Sequence, residues 1–502
     1  MIIGRRRPYY TRCLRPHSID TEPVAASPDS ESRDFLAIFV NGQPHRVDGS
    51  QAGDTLADFL RHRLRLTGTK ICCAEGDCGS CTVLVGRRTP EGFTYEPTNA
   101  CILFLHQVDG CHVVTIEGLG NERELSALQQ ALVEHHGIQC GFCTPGVVMA
   151  LSGGYDPQAD SASIEASLAG NLCRCTGYMQ ILEAVRTVGP QPAPMEEQYP
   201  AALLAATLDP LGRQPVVASD GKGGTISAPI DLSEALEFLE HHPEATIVAG
   251  ATDLAVAVNR GASLPQTILS LERIDGLRKV VQEPGQAIIG AGCTWSAIAD
   301  SLADELPQLS ELLETFGSPQ IRNRATIGGN LANASPVADS LPLLYVLGAE
   351  VEIISAQSVR RTPIDKFYRG YKDIDLNPWE IIHRIFLPLP EAASDLKLYK
   401  VSKRTYMDTA TLTAAFLLKR NGGQVDNAHL AVGGAGPTVM RLPRTESFLK
   451  GSPTNANIFA AAGERAASEV SPQDDMRGSA HYRRLLLKNL LVRFHIDCGL
   501  PS

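Results

Sequence analysis

The sequence predicts a multidomain α+β protein, and three observations support that fold class. The chain has 502 residues, which is enough for three or four domains of ordinary size. Eight of its 13 cysteines fall into two compact sets in the first half of the chain. Hydrophobic periodicity is strand-like near the start, helical from about Asn121 to Val188, and mixed thereafter.

Composition and charge narrow the classes of function. With 43% hydrophobic and 20% charged residues, the chain has the composition of an ordinary globular protein. Its net charge of -11 argues against nucleic acid as a partner, because phosphate binding requires a basic face. No run of about 18 apolar residues occurs, so we expect no membrane-spanning helix and a cytoplasmic location. Residues 1–33 are basic and then rich in proline and serine, which predicts a disordered tail.

Residues 34–118 are predicted to form a compact α+β unit. The apolar run Phe35 to Val40 ends at Asn41-Gly42, which is a strong signal for a hairpin and a return strand. We expect Asp54 to cap a helix and a further strand to run from Thr82 to Val85. The predicted buried face of that helix comprises Leu56, Phe59, Leu60 and Leu64.

Residues 119–188 are predicted to form a small helical bundle. Four apolar stripes at helical spacing indicate four short amphipathic helices, which bury their stripes against one another. The stripes comprise Leu125, Leu128, Leu132 and Val133; Val147, Val148 and Leu151; Ile164 and Leu168; and Ile181, Leu182 and Val185.

The rest of the chain is predicted to contain a linker and two further domains. Residues 189–226 are rich in proline and weakly periodic, which is typical of a linker. Strand-like runs alternate with helical stretches in residues 227–392. Residues 393–502 contain strands first and then a helix from Tyr482 to Phe494, which we expect to pack in the core.

The first cysteine set has the spacing of a plant-type [2Fe–2S] ferredoxin loop, C-x4-C-x2-C with a later fourth cysteine. Gly76 and Gly79 allow the backbone to approach a cluster and to turn its amides toward the sulfurs. Structural zinc is the alternative, although zinc sites favour two C-x2-C pairs. Cys72 is ambiguous, but adjacent side chains do not easily reach the same iron, so Cys73 is the predicted ligand. The first cysteine set is Cys73, Cys78, Cys81 and Cys101.

The second cysteine set combines a C-x2-C and a C-x-C, each close to the start of a predicted helix. Free backbone amides at such helix starts favour an anionic thiolate cluster. Pro145 is well placed for the first helical turn after the C-x2-C. The alternatives are a zinc site or a redox-active dithiol at the first pair. The second cysteine set is Cys140, Cys143, Cys173 and Cys175.

These residues resemble a known family. The segments GTKICCAEGDCGSCTV, NACI, QCGFCTPG and NLCRCTGY, in that order, resemble the iron–sulfur half of the xanthine dehydrogenase and aldehyde oxidase family of molybdenum hydroxylases. The later segments VAGATD, TFG, ATIGGNL and ASP resemble the two flavin regions of that family. The fused arrangement is similar to the small subunits of its bacterial xanthine dehydrogenases.

The resemblance implies a β-grasp ferredoxin domain, a four-helix [2Fe–2S] bundle, an FAD-binding domain of the PCMH or vanillyl-alcohol-oxidase-like type, and a C-terminal flavoprotein domain. Small residues and glycines in two loops suit FAD, whose pyrophosphate needs exposed backbone amides. Gln139 matches a glutamine that reaches the molybdopterin. Phe316 is expected near the isoalloxazine, while Lys400 is either a phosphate or ring-oxygen contact or a solvated lysine. The implied FAD residues are Ile247, Val248, Ala249, Gly250, Ala251, Thr252, Asp253, Leu254, Phe316, Thr326, Ile327, Gly328, Gly329, Asn330, Asp339, Ile382 and Lys400.

Three features near these loops are interpreted without a cofactor role. Gly290-Ala-Gly292 and Gly434-Ala-Gly436 lack the third glycine of a dinucleotide-binding loop, so both predict tight turns. Arg322 and Arg324 could help with phosphate charge, but a surface position is the simpler prediction.

The resemblance also implies a partner and a direction of electron flow. A large molybdopterin-binding subunit is expected, in a heterodimer or heterotetramer. Electrons from its molybdenum centre would reach the second cysteine set, then the first, then FAD, and finally NAD+ or oxygen. The alternatives are the equivalent subunit of an aldehyde, nicotinate or quinoline oxidoreductase, a free iron–sulfur flavoprotein carrier, or a zinc-scaffold interaction protein.

Overall fold

A computed structural model of the chain describes residues 32–119, 125–153, 161–188, 195–212, 214–219 and 223–500. The predicted tail therefore lies outside the described residues, apart from its last two positions. The described residues form four units, and the expected multidomain α+β fold class is confirmed. Within the described part of the chain, no helix has the length and apolar character that crossing a membrane requires.

The first unit is a mixed five-stranded sheet with the strand order β2-β1-β5-β3-β4. The central pair β1 and β5 is parallel and its neighbours are antiparallel, which is a β-grasp arrangement. A short helix α1 continues as a π-helix at Phe59–Arg63 and packs Leu56 and Leu60 against the sheet. The elements are β1 (Phe35–Val40), β2 (Gln43–Asp48), α1 (Leu56–Asp58), β3 (Thr82–Thr89), β4 (Gly92–Asn99) and β5 (His112–Val114).

Local chemistry explains how this unit begins. Asn41 and Gly42 have φ of 50° and 78°, as a tight hairpin turn requires, and Val40 pairs with Gln43 across it. The prediction that Asp54 caps the helix is wrong by one residue. Thr55 is the N-cap, and its hydroxyl accepts a hydrogen bond from the Asp58 amide at 3.2 Å.

The second unit contains the four predicted helices. They bury Leu128, Leu132, Val147 and Val185 in one core. The prediction that the first stripe is buried is wrong for two of its members, because Leu125 is 48% exposed and Val133 is 50% exposed. The helices are α2 (Ala127–Glu134), α3 (Thr144–Ser152), α4 (Ser161–Ser167) and α5 (Met179–Thr187).

The prediction that 189–226 is a linker is wrong for most of its described residues. Residues 195–198 form α6 (Met195–Gln198), and α7 (Ala201–Gly212) packs along the first sheet. Leu204 and Leu208 contact Phe39, and Leu211 contacts Phe35. Because the segment is rich in proline, the sequence did not indicate α7. The apolar side chains of this helix are spaced to cover the sheet of the first unit.

The third unit has two sheets. One contains four strands in the order β6-β7-β9-β8 with parallel pairs on both sides of β9, and the other contains five antiparallel strands in the order β10-β11-β16-β12-β13. Its strands are β6 (Val216–Ser219), β7 (Thr225–Ala228), β8 (Thr246–Val248), β9 (Thr267–Ser270), β10 (Val280–Glu283), β11 (Gln286–Gly290), β12 (Glu350–Ile354), β13 (Val359–Pro363), β14 (Tyr368–Gly370), β15 (Asp373–Ile374) and β16 (Ile381–Pro388).

Helices cover both sheets of the third unit, and the short β14-β15 ribbon lies apart from them. The helices are α8 (Leu232–His241), α9 (Leu254–Asn259), α10 (Trp295–Ser301), α11 (Pro307–Glu314), α12 (Pro319–Arg322), α13 (Ile327–Asn333), α14 (Leu341–Leu347) and α15 (Ile364–Phe367).

The fourth unit is an antiparallel sheet in the order β17-β18-β19-β20, packed against its own helices. The predicted last helix forms and buries Leu487, Leu491 and Phe494. The elements are β17 (Ser394–Val401), β18 (Leu412–Asn421), β19 (Gln424–Gly433), β20 (Met440–Arg441), α16 (Pro443–Leu449), α17 (Ala456–Glu469) and α18 (Ala480–Asp497).

A buried carboxylate joins the first and third units. Glu272 forms ion pairs of 2.7 Å with Arg87 of β3 and 2.7 Å with Arg324, and it also pairs with Arg278. Burial raises the pKa of Glu272, but the three guanidinium groups outweigh burial and hold that pKa well below its usual range. The prediction that Arg324 lies at the surface is wrong, because its side chain is 5% exposed.

A second buried ion pair involves a residue of the predicted tail. Arg33 is buried and contacts the Asp109 carboxylate at 2.7 Å, and Arg273 of the third unit contacts the same carboxylate at 3.2 Å. The Arg33 side chain also donates to the Leu211 carbonyl at 3.1 Å. The folded structure therefore begins before Asp34, and charge pairs hold the first unit, α7 and the third unit together.

We predict that Glu272→Gln destabilises the protein by about 3 to 5 kcal/mol at neutral pH, because one buried and two partly buried guanidinium groups lose their counter-charge. The pKa of Glu272 is lower in the folded state, so its contribution is present above about pH 4.3 and is lost as the pH falls. Urea unfolding of the wild-type protein and of Glu272→Gln, at neutral and at acid pH, measures this difference in the free energy of unfolding. The control is Glu391→Gln, whose pair with Lys419 is exposed and contributes less than about 1 kcal/mol. Equal midpoints for the two variants would contradict the prediction.

Candidate cofactor-binding sites

The first cysteine set lies in one wrapped loop and the short helical turn that follows β4. Cys78, Cys81 and Cys101 are buried, whereas Cys73 is partly exposed. The loop turns through Gly76 and Gly79, which have φ of +73° and +67°. A side chain at Gly79 would overlap the Gly170 carbonyl of the second unit, so this glycine also allows the close approach of the two units.

Backbone amides of this loop point at a cysteine sulfur. The Glu75 and Asp77 amides both donate to Cys73 Sγ at 3.4 Å. Ala74 has φ of +56°, an unfavourable conformation for a residue with a side chain, and this turn directs the amides inward. Amides aimed at a ligand sulfur are a device by which proteins adjust iron–sulfur clusters.

The thiols of this set are crowded. The hydrogen bond between Cys78 and Cys73, together with burial, raises the pKa of the Cys78 thiol well above its usual range. A group of close, buried thiols cannot ionise together unless a cation compensates their charge. The donor set therefore fits an iron–sulfur cluster, in which ferric and ferrous ions supply that compensation.

The second cysteine set is arranged as two pairs, each joining one cysteine of the C-x2-C to one of the C-x-C. The Cys175 and Cys140 sulfurs are 3.6 Å apart, and the Cys143 thiol hydrogen-bonds with Cys173. Burial and this contact raise the pKa of Cys143 to about 12. Among the described residues, no three cysteine, histidine or acidic side chains converge on a point that would hold one metal ion. Two pairs of thiolates are the ligands that the two irons of a [2Fe–2S] cluster require.

The second cysteine set opens to the surface. Cys140 and Cys175 are exposed, and Gln139 is exposed beside them. Four large apolar side chains close to these cysteines in the sequence are also exposed. They are Ile138 (37%), Phe142 (43%), Leu172 (59%) and Met179 (67%), and we call them the apolar rim.

Direct hydrogen bonds connect the two cysteine sets. The Leu172 amide, one residue before Cys173, donates to the carbonyl of Cys78 at 3.0 Å. The Asn171 side chain donates to the Gly79 carbonyl at 3.2 Å and accepts from the Gln320 amide at 2.8 Å. Gln320 belongs to α12, so a helix of the third unit reinforces the junction between the two cysteine loops.

Most of the predicted flavin residues line a cavity of about 420 Å³ in the third unit. The first flavin loop, Ile247–Leu254, and parts of the second flavin loop, Thr326–Asn330, form opposite sides of this cavity. A smaller cavity of about 90 Å³ shares Ile247, Ala249 and Gly329 with it and is also lined by Gly328 and Ile382. The structure thus brings the two loops together with Ile382.

The two loops are built to expose backbone. Ala251 has φ of 58°, and a side chain at Gly250 would overlap the Arg324 carbonyl, so the first flavin loop requires small residues. Thr326 caps α13 by accepting a hydrogen bond from the Gly329 amide at 3.1 Å. These features fit a cofactor that carries a pyrophosphate and approaches the backbone closely.

Four predicted flavin residues line neither cavity, and one of them, Ile327, is buried in the hydrophobic core of the third unit. Phe316 packs on Trp295, with ring centroids 5.4 Å apart. Lys400 is buried and not solvated; it pairs with Asp339 at 2.8 Å and donates to the Thr315 carbonyl at 2.7 Å. Burial raises the pKa of Asp339 although Lys400 lowers it, and Asp339 Oδ1 is buried without a hydrogen-bond partner. An unpartnered buried acceptor is consistent with a ligand group that completes this region.

Sequence reasoning missed two contributors to the flavin site. Ala291 and Gly292 line the smaller cavity, and the Ala291 carbonyl accepts from the Gly328 amide at 2.9 Å. The Gly290-Ala-Gly292 turn, predicted to be a tight turn without a cofactor role, therefore contributes to the lining of the candidate flavin site. Gln107 of the first unit donates to the Ala249 carbonyl at 2.8 Å, a contact that no local pattern indicates.

Comparison with protein families divides the chain into four matches. Residues 38–105 match the 2Fe-2S iron-sulfur cluster binding domain, and residues 115–186 match the [2Fe-2S] binding domain. Residues 222–390 match the FAD binding domain in molybdopterin dehydrogenase, and residues 397–498 match the CO dehydrogenase flavoprotein C-terminal domain. Two [2Fe–2S] domains and one FAD-binding domain are therefore present.

Similar curated proteins are longer than this chain. Aldehyde oxidase 2 of Rattus norvegicus is 29% identical over 93% of this chain, and xanthine dehydrogenase 1 of Arabidopsis thaliana is 29% identical over 91%. The chain spans 39% of the length of each of these two relatives.

Similar solved structures cover part of the chain. Quinoline 2-oxidoreductase from Pseudomonas putida 86 aligns with a TM-score of 0.51 and 28% identity, covering 54% of this chain and 94% of that chain. A carbon monoxide dehydrogenase from Hydrogenophaga pseudoflava aligns with a TM-score of 0.51 and 27% identity. The alignment covers 53% of this chain and 94% of that chain.

We predict that Cys73→Ser removes or strongly alters one of two iron–sulfur signals, whereas Cys72→Ser leaves both. The reason is that the Cys73 sulfur accepts two loop amides, while Cys72 is exposed. Iron analysis and low-temperature electron paramagnetic resonance of the dithionite-reduced variants measure this. The adjacent cysteine is the matched control, and loss of a signal in Cys72→Ser alone would reverse the assignment.

Proposed function

We propose that this chain, an iron–sulfur flavoprotein of the molybdenum hydroxylase family, is the electron-transfer subunit of a molybdenum-dependent hydroxylase. Electrons would enter at the second cysteine set, cross to the first and leave through the flavin site. The four domain matches and the homology with aldehyde oxidases, xanthine dehydrogenases and carbon monoxide dehydrogenases support the assignment.

One observation carries the proposal, namely the hydrogen-bonded contact between successive sites. The Leu172 amide binds the Cys78 carbonyl, so Cys173 and Cys78, predicted ligands in different units, are joined through a few covalent bonds and one hydrogen bond of 3.0 Å. Gln107 of the first unit then holds the first flavin loop through the Ala249 carbonyl. A protein that used zinc only to stabilise its fold would not require its two cysteine sets and its first flavin loop to contact one another in succession.

When bound, the two clusters supply one-electron chemistry and the flavin supplies the change between one- and two-electron chemistry. The chain itself holds the sites in place and controls their access to water. Cys78, Cys81 and Cys101 are buried and exclude water from the middle of the route, whereas Cys140 and Cys175 lie at its exposed end.

The exposed end suits a partner subunit that carries the molybdopterin. The apolar rim and Gln139 lie close to the exposed thiols in the sequence, and exposed apolar side chains at an electron-entry point suit docking of a protein. We propose that Gln139 contacts the molybdopterin of the partner subunit. The partner and this chain would form a heterodimer or heterotetramer.

For the organic substrate we propose a purine such as xanthine, with NAD+ or oxygen as the final acceptor. The fusion of both cluster domains to a flavin domain on one chain favours the xanthine dehydrogenase and aldehyde oxidase type of enzyme, and the resemblance to bacterial xanthine dehydrogenase small subunits favours the purine. Aldehyde oxidation is the second candidate, because the aldehyde oxidase and xanthine dehydrogenase relatives are equally similar at 29% identity.

The test begins with the isolated chain. We expect two distinct paramagnetic signals after reduction with dithionite at low temperature, four irons with acid-labile sulfide, and one extractable FAD. The native complex should then show flavin reduction by xanthine, and aldehydes serve as the competing substrates. Zinc without iron or flavin in the purified chain would refute the electron-transfer role.

We predict that Met179→Asp weakens association with the molybdenum subunit at least tenfold, because Met179 is 67% exposed in the apolar rim. Both iron–sulfur signals and the flavin should remain. The control is Ile496→Asp, which places the same charge at a 63% exposed apolar position in the fourth unit. Analytical ultracentrifugation or co-purification measures association, and equal association of both variants would argue against docking at this rim.

A further inference from the structure

Asn259 is the last residue of α9, the short helix that begins at the end of the first flavin loop. Its side-chain amide donates one hydrogen bond to the Ala74 carbonyl and another to the Cys101 carbonyl, both at 2.8 Å. Both donors of one amide are thus used on two segments of the first unit that are far apart in the sequence.

The two acceptors are significant because of where they lie. Ala74 follows Cys73 and has the unfavourable φ of +56° that directs the Glu75 and Asp77 amides toward Cys73 Sγ. Cys101 is the distant fourth cysteine of the same set. One amide therefore holds the strained turn of the loop and the separate segment that would complete the cluster.

We propose that Asn259 is a positioning residue that locks the first cysteine set in its cluster-binding geometry and ties it to the first flavin loop. This inference rests on the proposed function, because it concerns the step between the first cluster and the flavin. Asn259 does so through the backbone of Ala74 and Cys101 and touches no sulfur among its hydrogen bonds.

A neighbouring ion pair serves as the contrast. Arg260 contacts Glu75 of the same loop at 2.9 Å, but its side chain is 63% exposed. Exposed pairs contribute little, because solvent screens them and ordering two long side chains costs entropy. The Asn259 amide is partly buried, fixed at both donors, and cannot be replaced by the Arg260 contact.

The proposal predicts a specific change in cluster properties. A reduced cluster is more negative than an oxidised one, so amides that face its sulfurs stabilise the reduced form. Without Asn259 the Ala74 turn relaxes and the Glu75 and Asp77 amides move away from Cys73. The midpoint potential of the first cluster should become more negative, while that of the second cluster stays unchanged.

The decisive variant is Asn259→Asp, which keeps the size of the side chain but directs carboxylate oxygens at two carbonyl oxygens. We expect one of the two paramagnetic signals to broaden or shift and its potential to fall in a redox titration. Flavin reduction through the clusters should slow at least tenfold, and the other signal should match the wild type. Asn259→Gln, which retains the amide donors, should restore part of the wild-type behaviour.

Controls make the outcome interpretable. Arg260→Gln should leave both signals and both potentials as in the wild type. Should Asn259→Asp fail to accumulate, the smaller change Asn259→Ala is measured in the same way. Wild-type signals and potentials in the Asn259 variants would overturn the inference. Absence of two signals in the wild-type chain would instead refute the proposed function.

Discussion

The hydrogen bond from the Leu172 amide to the Cys78 carbonyl is the contact around which the iron–sulfur half is organised. It requires the two cysteine loops to approach at backbone distance, and that approach explains several otherwise unrelated residues. Gly79 and Gly146 lie at the junction, where an added side chain would meet the opposite backbone. The Asn171 side chain satisfies the Gly79 carbonyl at this junction and accepts a hydrogen bond from the Gln320 side chain.

The third unit is attached to the first by a shared hydrophobic core and by buried ion pairs. Glu272 with its three arginines, and Asp109 with Arg33 and Arg273, place compensated charges between the units. Such contacts depend strongly on geometry, because a displaced partner leaves a buried charge unpaired. They therefore suit an interface that must hold its units at a fixed separation, which electron transfer between the sites requires.

Local patterns were sufficient for the parts of the molecule that local chemistry determines. The Asn41-Gly42 hairpin, the four bundle helices and the closeness of the cysteines within each set follow from turn preferences, periodicity and spacing, whereas the ligand roles stay a prediction. The errors occurred where distant packing decides. Proline content suggested a linker, but α7 has a sheet to cover, and Arg324 is buried because its counter-charge comes from elsewhere in the chain. Lys400 is buried and not solvated for the same reason, while its contact with FAD stays a prediction. The contacts of Gln107 and Asn259 have no local signature, since each depends on two units meeting.

The position of α7 has a consequence for dividing the molecule. Leu204, Leu208 and Leu211 cover Phe35 and Phe39 on the ferredoxin-like sheet, although this helix follows the cluster-binding bundle in the sequence. Each buried leucine contributes roughly 1.5 to 3 kcal/mol of hydrophobic stabilisation. A gene fragment that ended after the bundle would expose this aromatic face and tend to aggregate. Any natural splitting of such a chain into separate polypeptides would have to leave the helix with the iron–sulfur part or supply another cover for the sheet.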